Sequence, residues 1–337
     1  MDLITLDFET YYDKTYGLKK FTTEAYIRHP NFEVIGFAAK VNDGATEWVT
    51  GDKEQIARAL AKYDWRKSAL LAQNTLFDAG ILAFAFDIHP KKMLDTMCMG
   101  RAALGVDVSV SLANLAKHYG VGEKGTEVAD ALGKHRLDFT TEELARYGQY
   151  CVNDVELTHK IFNLMMEQGF PAAELPLIDL TLRTFTKPTL QLDEKLLKKH
   201  LQEVKNTKRR HLYNTLEATG RHALAAEALM DGVTSEAVQK SLRSNEQFAD
   251  LLRTLGVEPP RKKSPTTGKM TWAFAKTDDG FRALQEHADT KVQTVVAARL
   301  GVKTTLEETR TQRFIEMGTR GSFPIPLKYY GARTGRW

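Results

Sequence analysis

The residues best suited to chemistry follow the first apolar run of this 337-residue chain, where Asp7 and Glu9 flank Phe8. Because side chains on a β-strand alternate between faces, both carboxylates are expected on one face while Phe8 points into a core. Neighbouring carboxylates repel each other in a partly buried site, and a divalent cation with oxygen ligands relieves that repulsion. The pattern therefore favours a metal site. Two solvated acids at a strand end are the ordinary alternative.

Two later segments carry further acids. Asn74 precedes Asp78 in a helix expected over residues 76–86, and the two share a face if helical geometry already holds at Asn74. A capping Asn followed by a solvated Asp fits that spacing as well. Tyr150 precedes Asp154 by four residues in a longer helix, so the phenol and the carboxylate face the same way. Such a pair is also common on the surface of an amphipathic helix.

The four acids, Asp7, Glu9, Asp78 and Asp154, suit two hard cations if the fold brings them together. Two ions about 3.5–4 Å apart stabilise both the attacking and the leaving oxygen in phosphodiester cleavage. A nearby tyrosine such as Tyr150 can position or deprotonate the attacking water. The set therefore indicates a nuclease.

The elements that must position these residues alternate between strands and helices. A strand pair is expected over residues 33–41 and 45–50, joined by an Asp43-Gly44 turn, followed by a helix over 53–63 and a strand over 69–72. This order predicts an α/β domain with helices packed on a sheet. The stretch 91–138 is interpreted as short helices and loops.

Three glycines in that stretch match a dinucleotide-binding string, Gly120-x-Gly122-x-x-Gly125. They follow a helical segment over 112–119 and not a strand, whereas a pyrophosphate site needs a strand before the glycines and a helix after them. We therefore expect them to end a helix and form a loop.

The composition changes beyond Gly169, and a division between residues 167 and 190 gives domains of 1–170 and 171–337. The second part contains a charged helix over 193–218, a basic, proline-rich loop over 258–269 and helices over 278–286 and 290–300. The basic residues of the first helix are Lys195, Lys198, Lys199, Lys205, Lys208, Arg209 and Arg210. Such a run is either a solvated face or a contact to a phosphate backbone.

The overall composition, 42% hydrophobic and 27% charged, is that of a soluble globular protein, and a net charge of +4 permits a nucleic-acid partner without requiring one. Cys98 and Cys151 are expected to be buried, unpaired thiols in a reducing compartment. Polar residues interrupt the most apolar window, and no secretory signal is recognised. A cytoplasmic protein without a membrane partner is expected, in the host cytoplasm if the source is viral.

The motifs D-F-E-T, N-x-x-x-D and Y-x-x-x-D, in this order, resemble those of the 3′–5′ exonucleases of the DEDD superfamily, tyrosine subclass. The histidine subclass would carry His at position 149, which is Gln149. Segments over 244–260 and 264–278 resemble the thumb of bacteriophage-type family A DNA polymerases, which are related to bacterial DNA polymerase I. Segments over 298–303 and 329–337 resemble the lead-in to their palm.

The resemblance implies a ribonuclease H-like fold for residues 1–170, and a mainly helical thumb with the beginning of a palm for 171–337. It implies two Mg²⁺ (or Mn²⁺) ions, one held by Asp7, Glu9 and Asp154 and one by Asp7 and Asp78, with water oriented by Tyr150. The residues that it places along DNA are Thr10, Asn74 and Phe77 on the single-stranded 3′ end, and Lys303 and Arg336 on the primer–template duplex. Arg333 stands where this branch has His.

The chain ends before the later palm and finger motifs of that family, so synthesis by this chain alone is not expected, and a C-terminal polymerase part is an expected partner. The preferred hypothesis is a metal-dependent, proofreading 3′–5′ exonuclease. The alternative is a DNA-binding or accessory half of a split or truncated polymerase with little nuclease activity. A third hypothesis is an α/β protein whose acids are surface residues.

Overall fold

A computed structural model describes residues 1–125, 131–220, 222, 225, 236–303 and 306–337, and the side chains of 236–238 and 303 are outside this description. The chain divides into two compact units. The first consists of Met1–Leu190 and Ser322–Trp337, and the second of Gln191–Gly321.

The first unit contains a five-stranded mixed sheet. Its strands are β1 (Leu3–Thr10), β2 (Val34–Val41), β3 (Thr46–Thr50), β4 (Ala69–Ala72) and β5 (Lys92–Asp95), in the order β3-β2-β1-β4-β5. The central strand β1 pairs antiparallel with β2 and parallel with β4. The expected turn between β2 and β3 is present, with Asn42 in the left-handed region.

Helices flank this sheet, which confirms the predicted α/β fold. They are α1 (Thr23–Ile27), α2 (Lys53–Leu60), α3 (Thr75–Phe86), α4 (Thr96–Leu104), α5 (Leu112–Tyr119), α6 (Thr141–Glu167) and α7 (Leu175–Thr186). Thr140 caps α6 in a reciprocal capping box with Glu143, and this explains why the long helix begins there. Gly120 ends α5 in a left-handed conformation, as the sequence predicted.

One strand was missed in the sequence. The stretch 91–138, interpreted as short helices and loops, contains β5, which pairs parallel with β4. Its four residues, Lys92–Asp95, include two charged side chains, so neither alternation nor an apolar run identifies it. The pairing partner that stabilises β5 comes from a distant part of the chain.

The second unit is mainly helical. It contains α8 (Glu194–Ala218), α9 (Glu236–Arg243), α10 (Asn245–Thr254), α11 (Asp279–Gln285), α12 (Thr290–Lys303) and α13 (Leu306–Gly318). The interpretation of 258–269 as a loop was incomplete, because it contains β6 (Arg261–Lys263), which forms a small hairpin with the following strand β7 (Met270–Trp272). The apolar core of this unit includes Phe248, Phe274 and Phe281.

The C-terminal segment belongs to the first unit. Tyr329 is buried there, and its hydroxyl donates a hydrogen bond to Glu174. The indole N–H of Trp337 donates to Thr181 on α7 over 2.7 Å. The functional division near residue 170 stays a prediction. In the structure, the compact first unit continues through α7 and takes in residues 322–337.

Candidate active site

Strand β1 presents Asp7 and Glu9 on one face of the sheet. Phe8, between them, is 4% exposed and packs against Phe37 with ring centroids 5.6 Å apart. Glu9 is buried, whereas Asp7 keeps part of its surface exposed. The β1–β2 register is interrupted between Glu9 and Thr10. Such irregularities redirect side chains near functional sites. Here Asp7 and Glu9 precede the irregularity and Thr10 follows it.

Asp78 reaches the same strand from the first turn of α3. It is 2% exposed, and one carboxylate oxygen accepts a hydrogen bond from the backbone N–H of Phe8 over 3.1 Å. Asn74 lies in the left-handed region with φ 67°, so helical geometry does not hold at Asn74 and begins at Thr75. The condition under which Asn74 and Asp78 would share a helical face is therefore not met. The solvated-acid alternative for Asp78 is wrong, because its carboxylate is buried.

Helix α6 closes the cluster with Tyr147, Tyr150 and Asp154, which are all buried and share one face of the helix. The hydroxyl of Tyr147 donates to a carboxylate oxygen of Glu9 over 2.5 Å. The thiol of Cys151 lies 3.3 Å from the backbone oxygen of Asp7 and 3.5 Å from its carboxylate. The structure thus brings Asp7, Glu9, Asp78, Tyr150 and Asp154 together.

The acids of this cluster influence one another's protonation. Burial and the negative charge of Asp154 raise the pKa of Asp7 to about 7. Burial and the charge of Asp7 raise the pKa of both Glu9 and Asp78 well above the usual range. Burial and the charge of Asp154 also raise the pKa of the Tyr150 phenol. The cluster therefore has more negative charge than its surroundings compensate.

This chemistry fits a divalent cation. Asp7, Glu9 and Cys151 each bring a potential ligand atom within 4.8 Å of the others. Hard cations such as Mg²⁺ take oxygen ligands. The pKa of the Cys151 thiol is raised by burial and by Asp7, which keeps it neutral and makes it a poor ligand beside carboxylates. The carboxylates are the natural ligand set.

Sequence reasoning gave no role to two neighbours of the cluster, Lys124 and Tyr147. Lys124, in the loop after α5, forms an ion pair with Asp154. No periodicity in its loop predicts this contact. Tyr147 had a detectable signal, because it lies three residues before Tyr150 and seven before Asp154 on the same helix.

The residues expected along single-stranded DNA lie around α1 and the start of α3. The hydroxyl of Thr10 is hydrogen bonded to that of Tyr26 over 2.8 Å. The Phe77 ring is part-exposed, and its centroid lies 6.1 Å from the Tyr26 ring. Asn74 is exposed, and its backbone N–H donates to Asp95 over 3.2 Å. Thr10 and Phe77 thus share Tyr26 as a neighbour.

The residues expected on duplex DNA are Lys303, in the second unit, and Arg336, in the C-terminal segment. Arg336 is exposed, and its side chain donates to Thr334. Arg333 pairs with Asp107 over 2.9 Å, with both side chains largely exposed. The backbone of Lys303 ends α12, and its side chain falls outside the described part of the chain.

Comparison with known proteins identifies a domain type. A family profile described as 3′–5′ exonuclease matches residues 23–169. This range includes α3, the Lys124 loop and α6, and it begins after the Asp7 and Glu9 strand. A search of curated proteins found no match. In the described part of the chain, no helix combines the length and apolarity needed to cross a bilayer.

One of the solved structures compared has a matching fold. The POL domain of Pol1 from M. smegmatis, in complex with DNA primer-template and dNTP, superimposes with a TM-score of 0.58 at 15% identity. The match covers 99% of this chain and 50% of that one, so the chain spans about half the length of that protein. Brucella melitensis NrnC matches at 14% identity, with a TM-score of 0.38 over 55% of this chain and 83% of NrnC. The catalytic core of RRP6 from Trypanosoma brucei matches at 12% identity with a TM-score of 0.39. This match covers 89% of this chain and 73% of the RRP6 chain.

Proposed function

We propose that this chain is a metal-dependent 3′–5′ exonuclease acting on the 3′ end of DNA, and that it is the N-terminal portion of a bacteriophage-type family A DNA polymerase, where it would proofread. The observation that carries the proposal is the convergence of Asp7, Glu9, Asp78 and Asp154 beside Tyr150. The exonuclease profile, which spans two of these acids and the tyrosine, supports the reaction class.

The carboxylates would act as ligands. Asp7, Glu9 and Asp154 would hold one Mg²⁺ or Mn²⁺, and Asp7 with Asp78 a second. Bound cations supply positive charge to the attacking and leaving oxygens of a phosphodiester. The hydrogen bond from Tyr147 engages Oε2 of Glu9, which favours Oε1 as the oxygen that Glu9 offers to a cation.

Tyr150 would orient the attacking water. Its raised pKa keeps the phenol neutral at physiological pH, so it can hold a water by hydrogen bonding but does not act as a phenolate base. Its position one helical turn before Asp154 places the hydroxyl beside the acids. The contribution of Tyr150 is therefore geometric.

The 3′ end would approach past Thr10, Asn74 and Phe77. The part-exposed ring of Phe77 is suited to stacking on a base, a contact that tolerates any sequence. The second unit would be thumb-like, and Lys303 and Arg336 would approach the phosphates of the primer–template duplex.

The decisive experiment follows a 5′-labelled primer annealed to a template, in Mg²⁺, with and without the four dNTPs. We expect shortening from the 3′ end by the wild type. Asp7→Asn, which keeps the shape of the side chain but removes its charge, should slow this by about 100-fold or more, since metal charge contributes several kcal/mol.

Asp87→Asn is the matched control. The Asp87 side chain is 97% exposed and its backbone is left-handed, which Asn tolerates. Its rate should equal that of the wild type. Undiminished hydrolysis by Asp7→Asn would refute the site. Duplex binding without hydrolysis by the wild type would favour the accessory-module alternative.

A further inference from the structure

The loop after α5 is docked against α6 and carries Lys124 to the acid cluster. The side-chain amide of Asn153 donates to the backbone oxygen of Glu123 over 3.0 Å. Gly122 has φ 138°, and a Cβ atom built on it would lie 3.1 Å from Leu157. The loop backbone therefore contacts α6 closely at the two residues before Lys124.

This docking places the positive charge of Lys124 beside Asp154 and Tyr150. The Lys124 ammonium pairs with Asp154 and lies 4.9 Å from the centroid of the Tyr150 ring. Its charge opposes the burial and carboxylate repulsion that raise the pKa of Asp7 and Glu9. The Lys124 side chain is 28% exposed, so it is reachable from solvent, whereas the Asp154 side chain is 6% exposed.

We propose that Lys124 is a catalytic residue that binds the terminal phosphodiester. This inference rests on the proposed exonuclease function. Asp154 would hold a divalent cation, and the ammonium group would then exchange this carboxylate for a non-bridging oxygen of the phosphate. A lysine suits that exchange because its charge is compact and its stem is flexible. Tyr150 would orient the water, and because the Lys124 ammonium lies 4.9 Å from the centroid of the Tyr150 ring, one phosphate could contact both side chains.

In the reaction, a lone pair of the water oxygen forms the new bond to phosphorus, and a water proton passes to solvent. The bond from phosphorus to the 3′ oxygen of the penultimate nucleotide breaks with its electron pair on that oxygen, which then takes up a proton. A nucleoside 5′-monophosphate and a new 3′ hydroxyl result. Lys124 takes no part in these proton transfers and stabilises the charge on the non-bridging oxygens.

Three variants test this assignment. Lys124→Met removes the charge and keeps the length, Lys124→Arg keeps the charge, and Lys134→Met is the matched control. Lys134 also pairs with a carboxylate, Glu143, and lies 5.4 Å from an aromatic ring centroid, that of Phe139, with a similar exposure of 32%. The control thus loses an equivalent lysine outside the acid cluster.

Single-turnover hydrolysis of a 5′-labelled single strand is measured across a Mg²⁺ series. At saturating Mg²⁺ we expect Lys124→Met to be slower by about 100-fold, the effect of removing one positioned donor. Lys124→Arg should recover part of that loss, and Lys134→Met should match the wild type.

A binding measurement separates a phosphate contact from a structural role. With Ca²⁺ replacing Mg²⁺, fluorescence anisotropy gives the affinity for the same oligonucleotide across a salt series. Lys124→Met should reduce the slope of log K against log salt by about 0.7, the value for one phosphate contact on a single strand. Lys134→Met and Lys124→Arg should keep the wild-type slope.

An unchanged rate at saturating Mg²⁺ would overturn the inference. If that rate is unchanged and Lys124→Met needs less Mg²⁺, Lys124 is only a counter-ion of Asp154. An unchanged salt slope would exclude the phosphate contact. Absence of hydrolysis by the wild type, with Asp7→Asn equally inactive, would overturn the exonuclease proposal and this inference together.

Discussion

Tyr147 and Tyr150 lie one turn apart on α6, with ring centroids 6.2 Å apart, and have different partners in the acid cluster. Tyr147 donates to Glu9, whereas Tyr150 interacts with Asp154. The pKa of each phenol is raised by burial and nearby carboxylates, so both stay neutral. Tyr147 thus connects α6 to β1 through Glu9, whereas Tyr150 contacts Asp154 on α6 itself.

The protonation of Asp7 predicts a pH effect on stability. Burial and Asp154 raise its pKa from 3.8 to about 7, so the folded chain binds this proton more tightly than the unfolded chain. The stabilisation is fully present below pH 3.8 and is lost as the pH rises to about 7. Without metal, the wild-type Tm should therefore fall over this window by several degrees more than that of Asp7→Asn, measured by calorimetry.

Added Mg²⁺ provides the control for this prediction. A cation that binds only the folded, ionised site stabilises it by mass action, so the extra fall in Tm should shrink when Mg²⁺ is present. Equal pH dependence of the wild type and Asp7→Asn in EDTA would contradict the pKa assigned to Asp7.

At the scale of elements, Asp95 connects the ends of two helices. It is 1% exposed at the end of β5, and it accepts hydrogen bonds from the backbone N–H groups of Asn74 and Thr75 at 3.2 and 3.1 Å. The same carboxylate accepts from Met97 at 2.8 Å at the start of α4. It thereby holds the start of α3, which carries Asp78.

Removing this carboxylate should affect both stability and activity. We expect Asp95→Ala to lower the free energy of unfolding by about 3 kcal/mol, since several buried N–H groups lose their acceptor. Exonuclease activity should fall with it because α3 positions Asp78. Urea denaturation and the primer assay measure the two effects.

Asp52→Ala is the comparison for that variant. Asp52 caps α2 in an exposed capping box. The Asp52→Ala variant should lower the free energy of unfolding by about 1 kcal/mol without loss of activity. Equal effects of the two variants would show that Asp95 is an ordinary cap with no influence on the site.

The second unit contains a similarly buried charged residue, with a structural role. Arg299 is 1% exposed and donates to the backbone oxygen of Leu242 over 2.8 Å and to Asn245 over 2.5 Å. Its guanidinium lies 4.3 Å from the centroid of the Phe248 ring. Arg299 therefore joins α12 to α9 and α10, and its buried guanidinium is not a candidate for a phosphate contact.

At the scale of the whole molecule, the net charge of +4 is small, so any DNA affinity depends on where the charges lie. On α8, Lys198 pairs with Glu194 over 2.5 Å, and both side chains are exposed. Ion pairs at exposed positions contribute little stability, so such a lysine can exchange its partner for a phosphate at low cost.

Exposed positions of α8 provide a test of duplex binding. We expect replacement of Lys195 and Arg210 by Gln to weaken primer–template binding and to reduce the salt slope by about 0.9 for each lost contact. Fluorescence anisotropy between about 50 and 200 mM salt measures the affinity and its salt slope. Lys67 is an exposed lysine of the first unit, and Lys67→Gln is the control. An unchanged slope would mean that this face of α8 is only solvated.

Local backbone geometry determined what the sequence could predict by itself. Alternation along β1 placed Asp7 and Glu9 on one face, and helical spacing placed Tyr150 beside Asp154. These relations depend on residues close together in the chain, whose rise and turn per residue are the same in any protein. The α/β fold followed from the order of such segments.

Only the tertiary structure decided which distant groups meet. The bond from Phe8 to Asp78, the contact of Tyr147 with Glu9 and the pairing of Lys124 with Asp154 span 70, 138 and 30 residues. Each depends on sheet order and helix packing, and these result from burying apolar surface across the whole unit. Lys124 lies in a loop without periodicity, so only the docking of that loop on α6 reveals its position.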